Sequence, residues 1–68
     1  MKNIKIKTDF IKLDQFLKLA DVVMSGGEAK VLILSEDVIV NGEICTQRGR
    51  KIKKGDIVKV NDMSFLVE

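Results

Sequence analysis

The stretch DVIVNGEIC, residues 37–45, decides the fold of this chain. Its two β-rich runs, Asp37–Val40 and Glu43–Cys45, flank Asn41-Gly42, a dipeptide that accepts the positive φ angles of a type I′ turn. The pattern predicts a tight antiparallel hairpin in the middle of the chain. Cys45 is the single cysteine, and we expect it to be a half-buried strand residue, as free cysteines commonly are.

Three more short strands are predicted on either side of this hairpin. Gly55-Asp56 supplies a turn, and the runs Asp56–Val60 and Ser64–Glu68 read as strands joined around Asn61-Asp62. Near the start, Lys2–Thr8 alternates apolar and charged side chains, which is the period of a half-exposed strand.

Two helices are predicted between the first strand and the hairpin. The first has apolar residues at i, i+3, i+4 and i+7, which gives one apolar helix face: Leu13, Phe16, Leu17 and Ala20. We expect this helix to run from Leu13 to about Val23 and the second helix from about Gly27 to Leu34. The predicted fold class is α+β, with two helices packed on a small, mostly antiparallel sheet, in a single domain over residues 1–68.

The segment Ser25-Gly26-Gly27-Glu28 separates the two helices. Its glycines are expected to end the first helix in a left-handed turn, and Ser25 and Glu28 have the spacing of a capping box. The free N–H groups of the second helix's first turn suit a phosphate, since glycines permit close approach. The alternative is a plain tight turn, because the carboxylate of Glu28 repels an anion.

Composition excludes several kinds of chemistry. The chain has 68 residues and no histidine, so the usual general base and the commonest transition-metal ligand are both missing. We therefore expect a non-enzymatic protein with no metal and no cofactor. The lone cysteine fits a reducing compartment, and no run approaches the ~18 apolar residues of a membrane span, so a cytoplasmic protein without membrane contact is expected.

Charge is distributed unevenly along the chain. The net charge is +2, but residues 46–54 carry five cations and no acid, whereas residues 13–45 sum to −4. The cations of this basic segment are Arg48, Arg50, Lys51, Lys53 and Lys54. A concentrated positive field on a nearly neutral body is the pattern expected of a protein that binds a phosphate backbone.

The order of these motifs resembles the alpha-L RNA-binding motif, the domain named for ribosomal small-subunit protein S4. The resemblance spans roughly residues 10 to 60 and rests on Lys12–Lys18, Ser25–Lys30, Val38–Glu43 and Gly55-Asp56. The basic run from Arg48 makes the chain most similar to the short, stand-alone YaaA-type branch. The resemblance implies a surface that binds structured RNA, either ribosomal or transfer RNA, with a ribosomal partner.

The resemblance also selects the residues expected to contact RNA. Many relatives carry arginine at the positions of Lys12 and Gly26, so Lys18 and Lys30 are expected to compensate in part. Arg48 and Arg50 are the strongest candidates, since the intervening Gly49 lets the backbone lie close to a ligand. The full predicted site is Lys12, Lys18, Ser25, Gly26, Gly27, Lys30, Arg48, Arg50, Lys51 and Lys53. We expect the cations past the hairpin to share one exposed patch with the glycine bend between the helices, Ser25-Gly26-Gly27.

Two further expectations concern the mode of recognition. Aromatic residues make up 4% of the chain, and all three are Phe, so an aromatic platform for single-stranded bases is not expected. Recognition should then depend on the shape and backbone of folded RNA. The alternative is a protein-interaction module in which the same cations dock an acidic partner.

Overall fold

A computed structural model describes residues 1–68 and confirms the α+β class. The two helices are α1 (Leu13–Leu19) and α2 (Gly26–Leu34). Neither has the length and apolar character to cross a membrane. The seven strands are β1 (Lys2–Ile4), β2 (Phe10–Lys12), β3 (Val38–Val40), β4 (Glu43–Ile44), β5 (Lys51–Lys53), β6 (Ile57–Val60) and β7 (Met63–Val67).

Five strands form the main sheet, in the order β1-β7-β6-β3-β4. All neighbours are antiparallel except β1 and β7, which are parallel. The predicted hairpin is present as β3 and β4, with φ angles of 51° at Asn41 and 86° at Gly42 in the turn. The two predicted strands that follow are β6, which begins one residue later than predicted, and β7, which begins and ends one residue earlier.

The first strand is shorter than predicted. β1 ends at Ile4 instead of Thr8. In the parallel register Ile4 already lies beside Val67, the last residue of β7, so residues further along have no neighbouring strand. Ile6 still donates its N–H to the carbonyl oxygen of Glu68 at 2.7 Å, and its side chain is buried.

The first helix is also shorter, because it ends at Leu19 and not near Val23. The N–H of Val22 bonds to the carbonyl of Leu17, and the N–H of Asp21 to that of Lys18, which is the hydrogen-bond pattern of a Schellman motif. The left-handed residue of this motif is Asp21, with φ of 62°, and not a glycine. A short polar side chain tolerates this conformation, and the reversal lets Val23 pack into the core.

The second helix begins at Gly26, one residue earlier than predicted, with Ser25 as its N-cap. The Ser25 hydroxyl accepts the N–H of Glu28 at 3.2 Å, as a capping box requires. The Glu28 carboxylate accepts the N–H of Met24 at 3.1 Å, whereas a capping box pairs it with the N–H of the cap residue. Both polar side chains of this turn are therefore engaged in holding the helix start.

The core lies between the helices and the main sheet and contains fifteen buried hydrophobic residues. At its centre, the rings of Phe16 on α1 and Phe65 on β7 pack edge to face with centroids 6.1 Å apart. Cys45 belongs to this core at 6% exposure, just past β4, so the prediction of a half-buried strand residue was wrong. The chain turns inward there, and its Sγ lies 3.7 Å from the carbonyl oxygen of Gln47.

Candidate nucleic-acid interface

A second, two-stranded sheet carries most of the predicted cationic site. β2 and β5 pair antiparallel, so that Phe10 faces Lys53 and Lys12 faces Lys51. Alternate strand residues point to opposite faces, and the central Ile11 and Ile52 contribute to the core side. The four outward residues are exposed, and we call them the basic ribbon: Phe10, Lys12, Lys51 and Lys53.

A concave surface that encloses a volume of about 510 Å³ adjoins this ribbon. It has no hydrophobic lining residue, and it is formed by Gln47, Gly49, Arg50, Lys51, Lys53 and Asp56. Three of these six residues are cations and one is an acid. The surface is therefore polar and net positive, which suits an anion better than an apolar ligand.

The one acid of this surface is part of a hydrogen-bond network between two turns. The Asp56 carboxylate accepts the backbone N–H of Lys53 at 2.7 Å and the amide Nδ2 of Asn41 at 3.1 Å. Asn41 Oδ1 in turn accepts the N–H of Ile57 at 2.9 Å. These bonds join the hairpin turn to the Gly55-Asp56 turn and hold the end of β5 in place.

The backbone of the basic segment also caps the first helix. Lys12 is the N-cap of α1 but makes no side-chain cap hydrogen bond. Instead, the N–H groups of Leu13 and Asp14 donate to the carbonyl oxygens of Arg50 and Arg48, at 2.8 and 3.2 Å. Helix starts leave such N–H groups unsatisfied within the helix. The segment that carries the arginines is thus fixed against α1 by main-chain bonds.

The two arginines differ in their surroundings. The Arg48 guanidinium lies 3.5 Å from the carboxylate of Asp14, and the side chains are 46% and 12% exposed. The other carboxylate oxygen of Asp14 accepts the N–H of Gln15 at 2.8 Å. Arg50 has no such carboxylate partner, so its guanidinium is not held in an ion pair.

This difference predicts unequal effects on stability. We expect Arg48→Ala to lower the free energy of unfolding by about 1 kcal/mol, because it leaves the nearly buried carboxylate of Asp14 without its cation. Arg50→Ala should change it by less than about 0.5 kcal/mol, as exposed substitutions usually do. Urea unfolding of both variants followed by circular dichroism measures the difference. Equal losses would mean that the ion pair contributes nothing.

The glycine bend lies on a different concave surface. Ser25 and Gly27 help to line a cavity of about 720 Å³ between α2 and the end of the main sheet. Its other lining residues are mostly apolar or acidic, and include Val31, Val60, Met63, Glu28 and Asp37. This cavity shares no lining residue with the concave surface beside the basic ribbon.

The structure therefore divides the predicted site into two sets. One region brings together Lys12, Arg48, Arg50, Lys51 and Lys53 around β2, β5 and the start of α1. Ser25, Gly26 and Gly27 begin α2, Lys30 is exposed further along α2, and Lys18 is half-buried near the end of α1. The residues of the second set do not line the cationic surface.

Phe10 also lies on the basic ribbon, although the site predicted from the sequence did not include it. It is 40% exposed on the ribbon, with the Nζ atom of Lys51 4.9 Å from its ring centroid. The alternation Phe10-Ile11-Lys12 is a weak strand signal of three residues, and its partner Lys51–Lys53 lies some forty positions away. Only the pairing shows that an aromatic ring stands among the lysines.

Comparisons with known proteins agree with this architecture. Residues 4–68 match the family model described as S4 domain. The chain is 51% identical over 57 residues to the "Probable ribosome maturation protein RlbA" of Bacillus subtilis (strain 168), covering 84% of this chain and 80% of that protein. The S4 domain match extends across the helices, the hairpin and the basic ribbon. The chain therefore belongs to the S4 domain family.

Proposed function

We propose that this protein is a non-enzymatic module that binds structured RNA through the basic ribbon and the concave surface beside it. The observation that carries the proposal is that four cations lie together on one exposed region and that none of them forms an ion pair. These cations are Lys12, Arg50, Lys51 and Lys53. Membership of the S4 domain family supports RNA as the polyanion.

The proposed binding depends on electrostatic attraction and on a backbone that is already ordered before RNA binds. Each cation that contacts a phosphate releases condensed counterions, which is the main source of affinity in such complexes. The guanidinium of Arg50 can bind two phosphate oxygens at once, whereas the lysines act as point charges. Because main-chain bonds fix the strands and the adjoining segment, little backbone ordering is needed on binding.

The target we propose is ribosomal RNA during ribosome assembly in the cytoplasm. Support comes from the Bacillus subtilis relative, which is named a probable ribosome maturation protein. Transfer RNA is the other target class that we infer. Contacts of RNA with Arg48, Lys18, Lys30 and the Ser25-Gly26-Gly27 bend remain predictions from the sequence.

The proposal predicts a strong dependence of affinity on salt. If four phosphates are neutralised, log K should fall against log salt concentration with a slope of roughly −3 to −4. Fluorescence anisotropy with labelled fragments of ribosomal RNA, and with transfer RNA for comparison, measures this slope. A flat response would contradict phosphate binding at the ribbon.

The same cations also suit an acidic protein, so the test includes a direct comparison. We expect the immobilised protein to retain ribosomal RNA from a lysate and to lose its associated proteins after nuclease treatment. Retention of a protein partner after complete RNA digestion, together with a flat salt response, would favour the acidic-partner alternative.

A further inference from the structure

Phe10 is the one aromatic residue of the chain that lies outside the core. Phe16 and Phe65 are 0% and 1% exposed and form the centre of the core, but Phe10 is 40% exposed. Its ring belongs neither to the buried cluster nor to the partly buried residues packed against it. Exposure of an aromatic ring is unfavourable in water, and here the exposed ring lies on the cationic face.

The backbone holds this ring in a defined position. Phe10 is the first residue of β2 and pairs with Lys53 across the ribbon. Its carbonyl oxygen accepts the Thr8 hydroxyl at 2.7 Å, which fixes the entry to the strand. The ammonium group of Lys51 lies over the ring, 4.9 Å from the centroid. The ring face is thus bordered by the same cations that are proposed to bind phosphate.

An exposed aromatic ring with lysines beside it, Lys51 over the ring and Lys53 across the ribbon, matches the chemistry of a nucleotide. A nucleobase presents a flat π face that stacks on an aromatic side chain, and its flanking phosphates require cations nearby. Bases within a duplex are stacked on each other, so only an unpaired base can reach a protein ring.

We propose that Phe10 is a stacking site for one unpaired nucleotide of the bound RNA, an inference that rests on the RNA binding proposed above. The base replaces the Lys51 ammonium over the ring, and Lys51 then moves to a flanking phosphate. Exposed cation–π contacts are weak, so this exchange costs little compared with stacking. The site adds a preference for loops, bulges or ends to a contact that is otherwise insensitive to sequence.

The first test separates stacking from charge. We expect Phe10→Leu, which keeps an apolar side chain without a π face, to weaken binding to the ribosomal RNA fragment about tenfold while leaving the salt slope unchanged. Binding to a fully paired RNA duplex should not change. Ile44→Ala, which alters another exposed apolar residue, on β4 and outside both concave surfaces, is the matched control and should bind both RNAs as the unmodified protein does.

The second test reports on the contact itself. The chain has no Trp and no Tyr, so indole emission from a Phe10→Trp variant comes from position 10 alone. We expect the ribosomal RNA fragment to quench this emission and the duplex to leave it nearly unchanged. The variant should also retain the affinity that Phe10→Leu loses, because tryptophan stacks on bases at least as well.

The outcomes distinguish the two proposals. Absence of salt-dependent RNA binding by the unmodified protein would overturn the proposed function itself. Salt-dependent binding that Phe10→Leu leaves unchanged, or weakens equally for the fragment and the duplex, would overturn only the stacking site. A Phe10→Leu variant that loses its thermal unfolding transition, with no RNA quenching of the Phe10→Trp variant, would assign Phe10 a structural role instead.

Discussion

Replacing Lys51 and Lys53 together by glutamate is expected to weaken binding to folded ribosomal RNA by about a thousandfold. Both lysines belong to the basic ribbon and also line the concave surface beside it. A phosphate contact contributes about 1 kcal/mol near physiological salt, so two lost contacts and two new repulsions together cost about 4 kcal/mol.

The fold should survive this double substitution. A glutamate at position 51 faces Lys12 across the ribbon, and opposite charges in that relation are mildly favourable. The buried Ile52 between the two positions is unchanged. Circular dichroism should therefore show an unfolding transition close to that of the unmodified protein.

A matched control separates local charge from net charge. Lys2→Glu with Lys59→Glu makes the same change in net charge on exposed positions of β1 and β6 in the main sheet. We expect this control to weaken RNA binding by less than about tenfold, through long-range repulsion that salt screens. Equal losses in the two double variants would mean that the ribbon is not the binding surface.

Phe16→Ala is expected to leave the protein largely unfolded at room temperature. Phe16 is fully buried on α1, and its ring packs edge to face on Phe65 of the main sheet. Truncating a buried phenylalanine to alanine costs about 3 to 5 kcal/mol. A single core of this size rarely supplies more than about 3 to 5 kcal/mol of net stability, so the loss is comparable with the whole.

Urea unfolding followed by circular dichroism measures this effect, with two comparisons. Phe16→Leu keeps most of the apolar volume and should retain a cooperative transition at lower urea. Val31→Ala, at a residue that is 66% exposed, should change the free energy of unfolding by less than about 0.5 kcal/mol. A cooperative Phe16→Ala variant with an unchanged midpoint would contradict the assigned core. Loss of RNA binding in this variant should accompany loss of structure, unlike the loss in the lysine double variant.

The elements that were predicted well are those with local signals. The start of helix α2 was predicted to within one residue, because Ser25 and Glu28 mark its first turn in the sequence. The β3–β4 hairpin follows from Asn41-Gly42, since few other dipeptides accept two consecutive positive φ angles. The family was identified from the order of these same motifs, and the S4 domain match confirms it.

The errors occurred where the chain responds to distant parts of itself. Helix α1 ends early, at Leu19, because the chain reverses at the left-handed Asp21 to bury Val23. Strands β2 and β5 were not predicted, since each has three residues and neither forms a sheet without the other. No strand was predicted within the basic segment, although its alternation Lys51-Ile52-Lys53 fits a strand with one buried side chain.

By itself, the sequence determined the fold class, the family and the identity of the cations, because periodicity, turn residues and charge are properties of short segments. Tertiary structure alone decided which of these residues meet. Pairing between segments some forty positions apart placed Phe10 and Lys12 beside Lys51 and Lys53. The glycine bend lines a different cavity from that group. A binding surface depends on distances between remote residues, and those distances are set by the shared core that both sheets and both helices cover.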